Sequence, residues 1–412
     1  MSPPRTTEIT VWCATHGQSV PVGTAWVSQR RGAVSTTFTY DPGWQADRYA
    51  HAFSPELNVT TARHHLARLP GALADCSPDR WGRTLIDKRL RGQARLAGDV
   101  PAQLTEVDYL LGASDLTRQG ALRLTTEVDG PFLAEHAEVP QLVELPRLLR
   151  AADAVGVDDD AMAAVKALLD AGSGSLGGAR PKASVRDGDH LAIAKFPHRS
   201  DDWDVMAWEK TALDLAERAG IRVPVRRLVD IDARHALVLD RFDRTSTGRV
   251  EYISAMTLVG GHDGGTYDYL EVAEALAERG VSVAADLAEL WRRIAFSLLV
   301  NNTDDHLRNH GMLHHINGWR LSPAFDVNPN PDTHAQRATT VCFAAGDRSQ
   351  SLSALIDGCD KFGLTPAAAA ASLREVAAAL VGWRDVAADN GVTKPEVDLF
   401  ADCFDGLLRD LP

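Results

Sequence analysis

Two polar side chains near residue 305 have the types and the spacing needed for phosphate chemistry on a hydroxyl group. Asp304 and Asn309 lie five positions apart in the segment TDDHLRN. A carboxylate such as that of Asp304 can orient a hydroxyl group and accept its proton. An amide oxygen such as that of Asn309 is a hard ligand of the kind that Mg²⁺ prefers. The pair therefore indicates phosphoryl transfer to a hydroxyl, although Asp-x4-Asn alone is a frequent pattern, found also in an ordinary polar turn.

A third polar residue, Asp326, follows through a short predicted hairpin. It ends the segment LSPAFD, and the Asn317-Gly318 pair upstream predicts a turn. The hairpin would return Asp326 to the side of Asn309, where both could bind one metal ion. Protein kinases place a catalytic Asp, a metal-binding Asn and a second metal-binding Asp in this order.

A glycine-rich segment, residues 172–182, has the sequence GSGSLGGARPK. Gly172, Gly174 and Gly177 spell G-x-G-x-x-G, but a dinucleotide-binding motif of this form follows a strand and opens a helix. Here a helix is predicted before the segment and a strand after it. A glycine-rich loop that leads into a strand can instead hold phosphate oxygens on its backbone N–H groups. For the glycines alone, a flexible linker is the alternative.

A lysine ends the hairpin that follows. The sequence KASVRDGDHLAIAKF predicts a strand, a turn at Asp187-Gly188 and a second strand. Its residues 192–195, AIAK, are similar to the V-A-I-K strand of protein kinases. Lys195 would then hold the α- and β-phosphates of ATP, with Glu209 on the next predicted helix as its carboxylate partner. For this lysine alone, a solvent-facing position on an edge strand is the alternative.

The elements that must position these residues predict an α+β chain. Runs rich in Val, Thr and aromatic residues predict strands in three regions, residues 8–40, 182–196 and 223–242. Apolar residues at helical spacing predict helices at 61–95 (with the segment 75–83 between two periodic stretches), 102–113, 140–153, 158–171, 205–219, 284–300 and 365–389. Strand-rich sequence thus precedes helical sequence, which is the order of the two lobes of a protein kinase.

Composition excludes several other classes of protein. The 412 residues suffice for two or three domains, and 45% of them are hydrophobic, as in a globular protein. With 43 Lys and Arg against 56 Asp and Glu, the net charge is -13, so tight binding of nucleic acid by the chain itself is not expected.

Cysteine usage and the apolar runs predict a cytoplasmic protein. Five scattered cysteines without a C-x-x-C pair indicate reduced thiols (Cys13, Cys76, Cys342, Cys359 and Cys403). The first residues, MSPPRTTEIT, lack the apolar core of a signal peptide. The apolar run at 294–300 is too short to span a bilayer.

Four histidines offer a different chemistry, since His306, His310 and His314 follow one another at i,i+4 spacing, with His315 next to them. On a helix this spacing could bind zinc. Gly311 and the segment HHINGWRL after it instead predict a loop and a hairpin, which disfavours a zinc site here.

Taken together, these segments resemble the HipA family, the kinase toxins of bacterial HipBA toxin–antitoxin modules. The resemblance extends over nearly the whole chain. The matching segments are LPGALADCSPDRWGR, SLGGARPKA, LDRFDR, NNTDDHLRNHG and LSPAFDV.

The resemblance implies a protein-kinase-like core with a strand-rich N-lobe and a mainly helical C-lobe, preceded by a β-rich N-terminal subdomain. The corresponding divisions are residues 1–125, 126–240 and 241–412. It implies that Asp304 is catalytic, that Asn309 and Asp326 bind metal, and that Ser175 is autophosphorylated. The residues expected to bind ATP are Gly177, Gly178, Ala179, Arg180, Pro181, Lys182, Lys195, Glu209, Asp240, Arg241, Phe242 and His306.

Asp240–Phe242 would form the hinge between the lobes, with Phe242 near adenine. A glutamate is usual in the family where this chain has Asp240, which affects only a detail of that contact.

The resemblance also implies a serine/threonine protein kinase that uses ATP and Mg²⁺. Its acceptor would be a protein, such as an aminoacyl-tRNA synthetase. Its partner would be a HipB-like helix-turn-helix antitoxin, through which alone it would reach DNA, and no membrane would be involved. Two alternatives stay open: a small-molecule kinase of the aminoglycoside or choline type, and a catalytically weak partner of a DNA-binding antitoxin.

Overall fold

The computed structural model describes residues 5–15, 17–30, 32–101, 103–127, 130–133, 139–158, 161–175, 180–338 and 351–409. The chain folds into two compact units. The first unit is Met1–Ser200 with Asp230–Ile253, and the second is Asp201–Val229 with Ser254–Pro412. None of the described helices is both long enough and apolar enough to cross a bilayer.

The strands, in chain order, are β1 (Arg5–Thr15), β2 (Gln18–Arg30), β3 (Ala33–Tyr40), β4 (His64–Leu66), β5 (Leu122–Thr125), β6 (Lys182–Asp187), β7 (His190–Lys195), β8 (Arg226–Ile231), β9 (Arg234–Asp240), β10 (Arg244–Thr245), β11 (Gly248–Arg249), β12 (Tyr252–Ser254), β13 (Gly311–His315) and β14 (Gly318–Leu321).

The α-helices are α1 (Pro42–Ala46), α2 (Gly71–Asp75), α3 (Arg80–Ala97), α4 (Glu106–Gly112), α5 (Leu145–Val157), α6 (Met162–Asp170), α7 (Val205–Arg218), α8 (Ala255–Leu258), α9 (Tyr269–Arg279), α10 (Val283–Leu299), α11 (Leu352–Asp357), α12 (Pro366–Leu380), α13 (Trp383–Asp389), α14 (Lys394–Leu399) and α15 (Ala401–Arg409). Short 3₁₀-helices lie at Leu142–Glu144, Ser173–Ser175, Leu307–Asn309 and Cys359–Phe362. This mixture of helix and strand confirms the predicted α+β class.

An antiparallel sheet in the order β4-β3-β2-β1-β5 opens the first unit. Its strands alternate buried and less buried residues, and Ile9, Val11, Val27 and Phe38 are fully buried. Alternation of this kind places one face of a sheet against the core. The strands predicted within residues 8–40 are confirmed.

The second sheet of the first unit contains the predicted hairpin. β6 pairs with β7 from Lys182↔Lys195 to Asp187↔His190, and β7 pairs with β9. Gly188, in the turn, has a φ of 58°, which a glycine adopts without strain. The predicted strand–turn–strand is confirmed.

One predicted helix is interrupted. Residues 64–66, within the region 61–95, form β4 instead, because they pair with β3 between Thr36↔Leu66 and Phe38↔His64. Pairing with a strand distant in sequence overrode the local helical pattern. Helix α3 also begins at Arg80, inside the segment 75–83, which was predicted to separate two helical stretches.

The second unit is mainly helical around an aromatic core. Trp208 of α7 stacks on Phe400 with ring centroids 3.9 Å apart, and Trp383 stacks on Phe404 at 4.5 Å. The predicted α7 and α10 are confirmed, and Gly220, with a φ of 76°, follows α7 as expected for a helix end.

The predicted hairpin at Asn317-Gly318 is also confirmed, since β13 pairs with β14 from Met312↔Leu321 to His315↔Gly318. Asn317 has a φ of 79° in its turn.

Candidate active site

The second unit holds a polar segment at residues 301–310, here called the catalytic segment, directly after the buried helix α10. Asn301, with a φ of 51°, turns the chain out of the helix. Its Nδ2 donates to the carbonyls of Asn330 and Asp332, at 2.6 and 3.0 Å. Asn309 closes the segment, because its Nδ2 donates to the Asp304 carbonyl at 2.9 Å. Asp304 and Asn309 are therefore held together in one short loop.

Asp326 lies on a second strained turn beside this segment. Its φ of 57° is in the left-handed region, which is unusual for a residue with a side chain. An antiparallel bridge joins Asn302 to Pro329, and the Asn328 amide N–H donates to Oδ1 of Asn302 at 3.3 Å. Nδ2 of Asn328 also donates to Oδ1 of Asp326 at 3.2 Å. The structure thus brings Asp326 into the neighbourhood of the catalytic segment at Asn302, and its predicted position beside Asn309 stays a prediction.

The acidic surroundings of Asp304 change its affinity for protons. Although its side chain reaches solvent, partial burial raises the pKa of the Asp304 carboxyl. The nearby His306 lowers this pKa, while the negative charges of Asp326 and Asp305 raise it further, and the net direction is upward. A carboxylate with a raised pKa accepts a proton more readily, which suits a general base.

Asp305, the neighbour of Asp304, is fully engaged in the interior. Its Oδ1 lies 2.7 Å from Nε2 of His310, and its Oδ2 accepts a 2.6 Å hydrogen bond from the Tyr269 hydroxyl. Burial raises the pKa of Asp305, but His310 and hydrogen bonds from Tyr269 and Ser297 outweigh it and lower that pKa to about 2. Asp305 is therefore a charged anchor that fixes the catalytic segment to α9 and α10.

This anchor is absent from the residues predicted from the sequence, where His310 is only a possible zinc ligand. Residues 311–315 form β13 rather than a helix, so the helical spacing of the histidines is not realised. The available signal was the Asp304-Asp305 pair itself, because neighbouring carboxylates disfavour each other's charged form unless other groups compensate one of them. Tyr269 is 36 residues from Asp305, too distant for any local pattern to indicate the contact.

Two imidazole nitrogens in the segment lack protein partners. Nδ1 of His306 and Nδ1 of His310 are shielded from solvent and have no hydrogen-bond partner among the described residues. His310 lines a cavity of about 30 Å³ together with Asp305 and Asn309, which is room enough for a water molecule. Buried polar atoms are normally satisfied, so His306 in particular fits a position beside a polar ligand.

In the first unit, Lys182 and Lys195 are direct cross-strand partners on β6 and β7. They are only 5% and 7% exposed. Directly opposed side chains lie on the same face of a sheet, and like charges in such a pair destabilise it. Two ammonium groups on one face of a sheet can both donate to a polyanion, which is the chemistry predicted for these residues. Glu209, the predicted partner of Lys195, is buried on α7 of the second unit.

The glycine-rich segment is packed rather than open where it is described. Gly172 has a φ of 69°, and a Cβ on Gly174 would meet the Leu169 side chain at 2.8 Å. Ser175 is 3% exposed, and its Oγ donates to the Ser114 carbonyl at 3.1 Å. Of the predicted phosphate-binding residues, Gly177, Gly178 and Ala179 lie outside the described residues. Arg180 and Pro181 lead directly into β6.

The predicted hinge residues occupy different environments in the first unit. Asp240 ends β9 opposite Ala192. Arg241 is buried, donates to the Thr117 carbonyl at 2.6 Å and forms a bidentate pair with Asp243 at 2.8 and 2.6 Å. Phe242 contacts Tyr252, with ring centroids 6.3 Å apart. Arg241 therefore has a structural role in addition to the contact with ATP that the family resemblance implies.

Comparison with known families decides the relationship. Residues 14–105 match the HipA N-terminal domain, and residues 174–383 match the HipA-like C-terminal domain. The second match alone spans slightly more than half of the 412 residues. The chain belongs to the HipA-like family.

A curated relative of this HipA-like chain is “Putative kinase Y4dM” of Sinorhizobium fredii. The two are 32% identical over 136 residues, which cover 29% of this chain and 32% of the relative. The chain thus matches about a third of the length of this relative.

A solved structure extends the likeness to the whole HipA-like chain. It is the complex of the Shewanella oneidensis MR-1 toxin–antitoxin system HipA, HipB and its operator DNA, matched with a TM-score of 0.64 at 15% identity. The match covers 97% of this chain and 96% of that chain. At this identity the likeness establishes the fold, so the predicted HipA-type, kinase-like architecture is confirmed.

Proposed function

We propose that this HipA-like protein is a kinase that uses ATP and Mg²⁺ to phosphorylate a serine or threonine hydroxyl of another protein. The observation that supports this most directly is the catalytic segment with Asp304 and Asn309 closed into one loop and Asp326 close enough to raise the pKa of Asp304. A base, a neutral oxygen ligand and a second carboxylate are the set that phosphoryl transfer to a hydroxyl requires.

The donor atoms fit a magnesium ion. Because Nδ2 of Asn309 donates to the Asp304 carbonyl, the amide oxygen is the atom left for a cation. The carboxylate of Asp326 adds a second hard oxygen ligand of the kind Mg²⁺ prefers. When bound, Mg²⁺ with ATP supplies charge neutralisation and orientation of the phosphates.

Asp304 would act on the acceptor. Its side chain reaches solvent, so an incoming hydroxyl can approach it. Its raised pKa favours acceptance of the hydroxyl proton as phosphate is transferred. Asp305 would not take part, because its carboxylate is buried and committed to His310 and Tyr269.

The first unit would bind the phosphates of ATP. Lys182 and Lys195 place two ammonium groups on one face of the β6–β7 hairpin, next to the end of the glycine-rich segment. Charge-assisted hydrogen bonds from such lysines to phosphate are stronger than neutral ones. His306, whose Nδ1 has no hydrogen-bond partner among the described residues, is proposed to make a further polar contact with ATP.

Ser175 would be a site of autophosphorylation. Since the hydroxyl is buried and donates to Ser114 in the described conformation, the segment must move before Ser175 can accept phosphate. Modification would therefore trap a different conformation of the glycine-rich segment.

A HipB-like helix-turn-helix antitoxin is the proposed partner, by analogy with the Shewanella oneidensis complex, and a protein such as an aminoacyl-tRNA synthetase is the proposed acceptor. With a net charge of -13, the chain would reach DNA only through such a partner.

The test is incubation of the purified chain with Mg²⁺–ATP and two sets of acceptors, aminoacyl-tRNA synthetases and small hydroxyl compounds such as aminoglycosides and choline. Phosphoserine or phosphothreonine found on a synthetase by mass spectrometry supports the proposal. Phosphate found only on a small molecule supports a small-molecule kinase instead. Absence of any ATP turnover supports a catalytically weak partner of an antitoxin.

A further inference from the structure

Residues 328–338, here called the return segment, lie beside the start of the catalytic segment. The Asn330 N–H donates to the Asn301 carbonyl at 3.1 Å, and Nδ2 of Asn330 donates to Oγ1 of Thr303 at 2.8 Å. The Ala338 N–H donates to the Thr303 carbonyl at 2.9 Å. The return segment is therefore hydrogen-bonded to the catalytic segment near both of its own ends.

One side chain of the return segment, that of Arg337, makes four further hydrogen bonds to described residues. Its Nη1 donates to the carbonyls of Ser297 and Asn302, at 3.2 and 2.9 Å. Its Nη2 donates to the Leu298 carbonyl and to Oδ1 of Asn301, both at 3.2 Å. A planar guanidinium presents its donors in a fixed fork, whereas the ammonium of a lysine is a compact point charge. This set of contacts therefore depends on an arginine.

The contacts of Arg337 extend beyond the capping of a helix. A cation near the end of α10 is favoured by the helix dipole alone, and two of the four acceptors belong to that end. Asn301 and Asn302, however, lie after α10 has ended. Arg337 thus reaches from the helix into the first two residues of the catalytic segment.

Asn301 is the point at which the backbone leaves α10, with a φ of 51°. Its side chain is bound by the return segment through both polar atoms, because Nδ2 donates to the carbonyls of Asn330 and Asp332, and Oδ1 accepts from Arg337. Left-handed backbone at a residue with a side chain costs free energy and persists where the surrounding structure holds it. Loss of Arg337 would release one of the contacts that hold this turn, three residues before Asp304.

The two stretches that Arg337 joins also place two acids of the site. Asp304 follows Thr303 directly, and Asp326 lies two residues before the return segment. A shift of one stretch against the other would therefore move one acid relative to the other. Misplacement of a reacting group by about 1 Å can lower a rate by about 10²-fold.

We propose that Arg337 is a positioning residue, which sets the orientation of Asp304 towards the acceptor hydroxyl by holding Asn301 and Asn302 against the return segment. The proposal rests on the kinase activity proposed above. Arg337 takes no proton in this role and acts through the backbone of the catalytic segment. Its loss should therefore lower kcat and leave the binding of ATP nearly unchanged.

The test compares transfer from Mg²⁺–ATP by the wild-type chain, Arg337→Met and Arg337→Lys, with aminoacyl-tRNA synthetases and peptides that contain serine or threonine as acceptors. We expect kcat of Arg337→Met to fall about tenfold, with KM for ATP within about twofold of the wild-type value. Arg337→Lys keeps the charge but not the fork, so its kcat should resemble that of Arg337→Met. Thermal unfolding shows whether each variant is folded.

Arg292→Met is the matched control, because Arg292 binds a helix end away from the catalytic segment. It lies on α10, and it donates to the Ala219 carbonyl at the end of α7 and to Glu375, both at 2.8 Å. A general loss of stability would affect this variant as well, whereas its kcat should stay at the wild-type value.

A double-mutant cycle with Asp304→Asn separates positioning from a general structural effect. If Arg337 acts through Asp304, adding Arg337→Met to Asp304→Asn should lower the rate by less than about twofold, because the base to be positioned is gone. Single-turnover measurements with radiolabelled ATP give the rates of the slow variants.

The outcomes separate this proposal from the kinase assignment. Wild-type kcat in both Arg337 variants, or in the one that folds, would overturn the role of Arg337 and leave the kinase assignment standing. A tenfold loss that recurs in full on the Asp304→Asn background would overturn it too, because Arg337 would then act elsewhere. If the wild-type chain transfers phosphate to no acceptor, the kinase assignment fails and this proposal fails with it.

Discussion

The catalytic segment of the second unit and the β6–β7 hairpin of the first unit each bring together side chains of one charge, but with different backbone conformations. The catalytic segment and its neighbour Asp326 bring together three carboxylates, whereas the hairpin brings together Lys182 and Lys195. The hairpin does so with a regular antiparallel register, but the catalytic segment has left-handed backbone at Asn301, and its neighbour Asp326 is left-handed too.

The difference shows that regular and irregular backbone place charged side chains by different means. In a sheet, register alone places two lysines side by side, because directly paired residues share a face. In the second unit three carboxylates must have different environments, so the chain is bent and held by side-chain hydrogen bonds. Backbone strain of this kind is found where the surrounding structure holds it in place, often at functional sites.

The largest effect is expected when the exposed carboxylate of the catalytic segment, that of Asp304, is removed. We expect Asp304→Asn to keep its fold and to lose phosphate transfer by about 10²- to 10⁴-fold, because the hydroxyl loses its base. Transfer is measured by phosphate incorporation and the fold by circular dichroism. Asp389→Asn, an exposed aspartate on α13, is the control. Turnover near the wild-type level would falsify the role of Asp304.

Removal of the buried carboxylate is expected to affect stability. Asp305→Asn leaves His310 and Tyr269 without their charged partner and should destabilise the second unit by about 3 kcal/mol. The pKa of Asp305 in the folded chain, about 2, lies below its ordinary value of 3.8. The stabilisation is therefore present above the ordinary value and is lost as pH falls towards 2.

Thermal unfolding of the two chains measures this effect. The difference in melting temperature between the wild-type chain and Asp305→Asn should shrink as the pH falls below about 4. A difference that does not change with pH would contradict the charged anchor.

Replacement of Lys195 tests the proposed role of the β6–β7 hairpin in binding ATP. Lys195→Met removes one of the two ammonium groups of the hairpin, and both its affinity for ATP and its thermal stability are compared with those of the wild-type chain. Its affinity for ATP should fall by about 10- to 100-fold, because a charge-assisted hydrogen bond to phosphate is lost. Calorimetric titration with ATP, together with thermal unfolding, measures both quantities. Unchanged ATP affinity would show that the hairpin serves another purpose.

The smallest effect is expected at Ser175. A phosphate there adds about -1.5 to -2 charges, and repulsion between two unit charges at 4 Å is about 1 kcal/mol in water and about 4 kcal/mol at an effective dielectric of 20. Ser175→Asp carries a single charge and, at the value for water, should bind ATP about fivefold more weakly, while Ser175→Ala should retain binding and lose self-phosphorylation. Intact-mass measurement followed by nucleotide titration compares the forms. Equal ATP affinity of the phosphorylated and unmodified chains would argue against this regulation.

Local sequence determined the elements and the order of the polar residues. Alternation predicted β1, β2 and β3, the Asp187-Gly188 and Asn317-Gly318 pairs predicted both hairpins, and helical spacing predicted α7 and α10. These signals depend on residues close together in the chain, where turn geometry and periodicity act directly. The family relationship followed from the same segments, because their order survives at low overall identity.

Tertiary structure alone decided which partners those residues have. It made residues 64–66 a strand instead of the predicted helix. It bound Asp305 to His310 and Tyr269. It also formed two ion pairs, one between Arg241 and Asp243 and one between Arg308 and Asp263 in the loop that joins α8 to α9. Most of these contacts join residues that are distant in the chain, so no local sequence pattern indicates them. For this reason two adjacent aspartates, Asp304 and Asp305, have pKa values shifted in opposite directions, since one reaches solvent among like charges and the other is buried against a histidine.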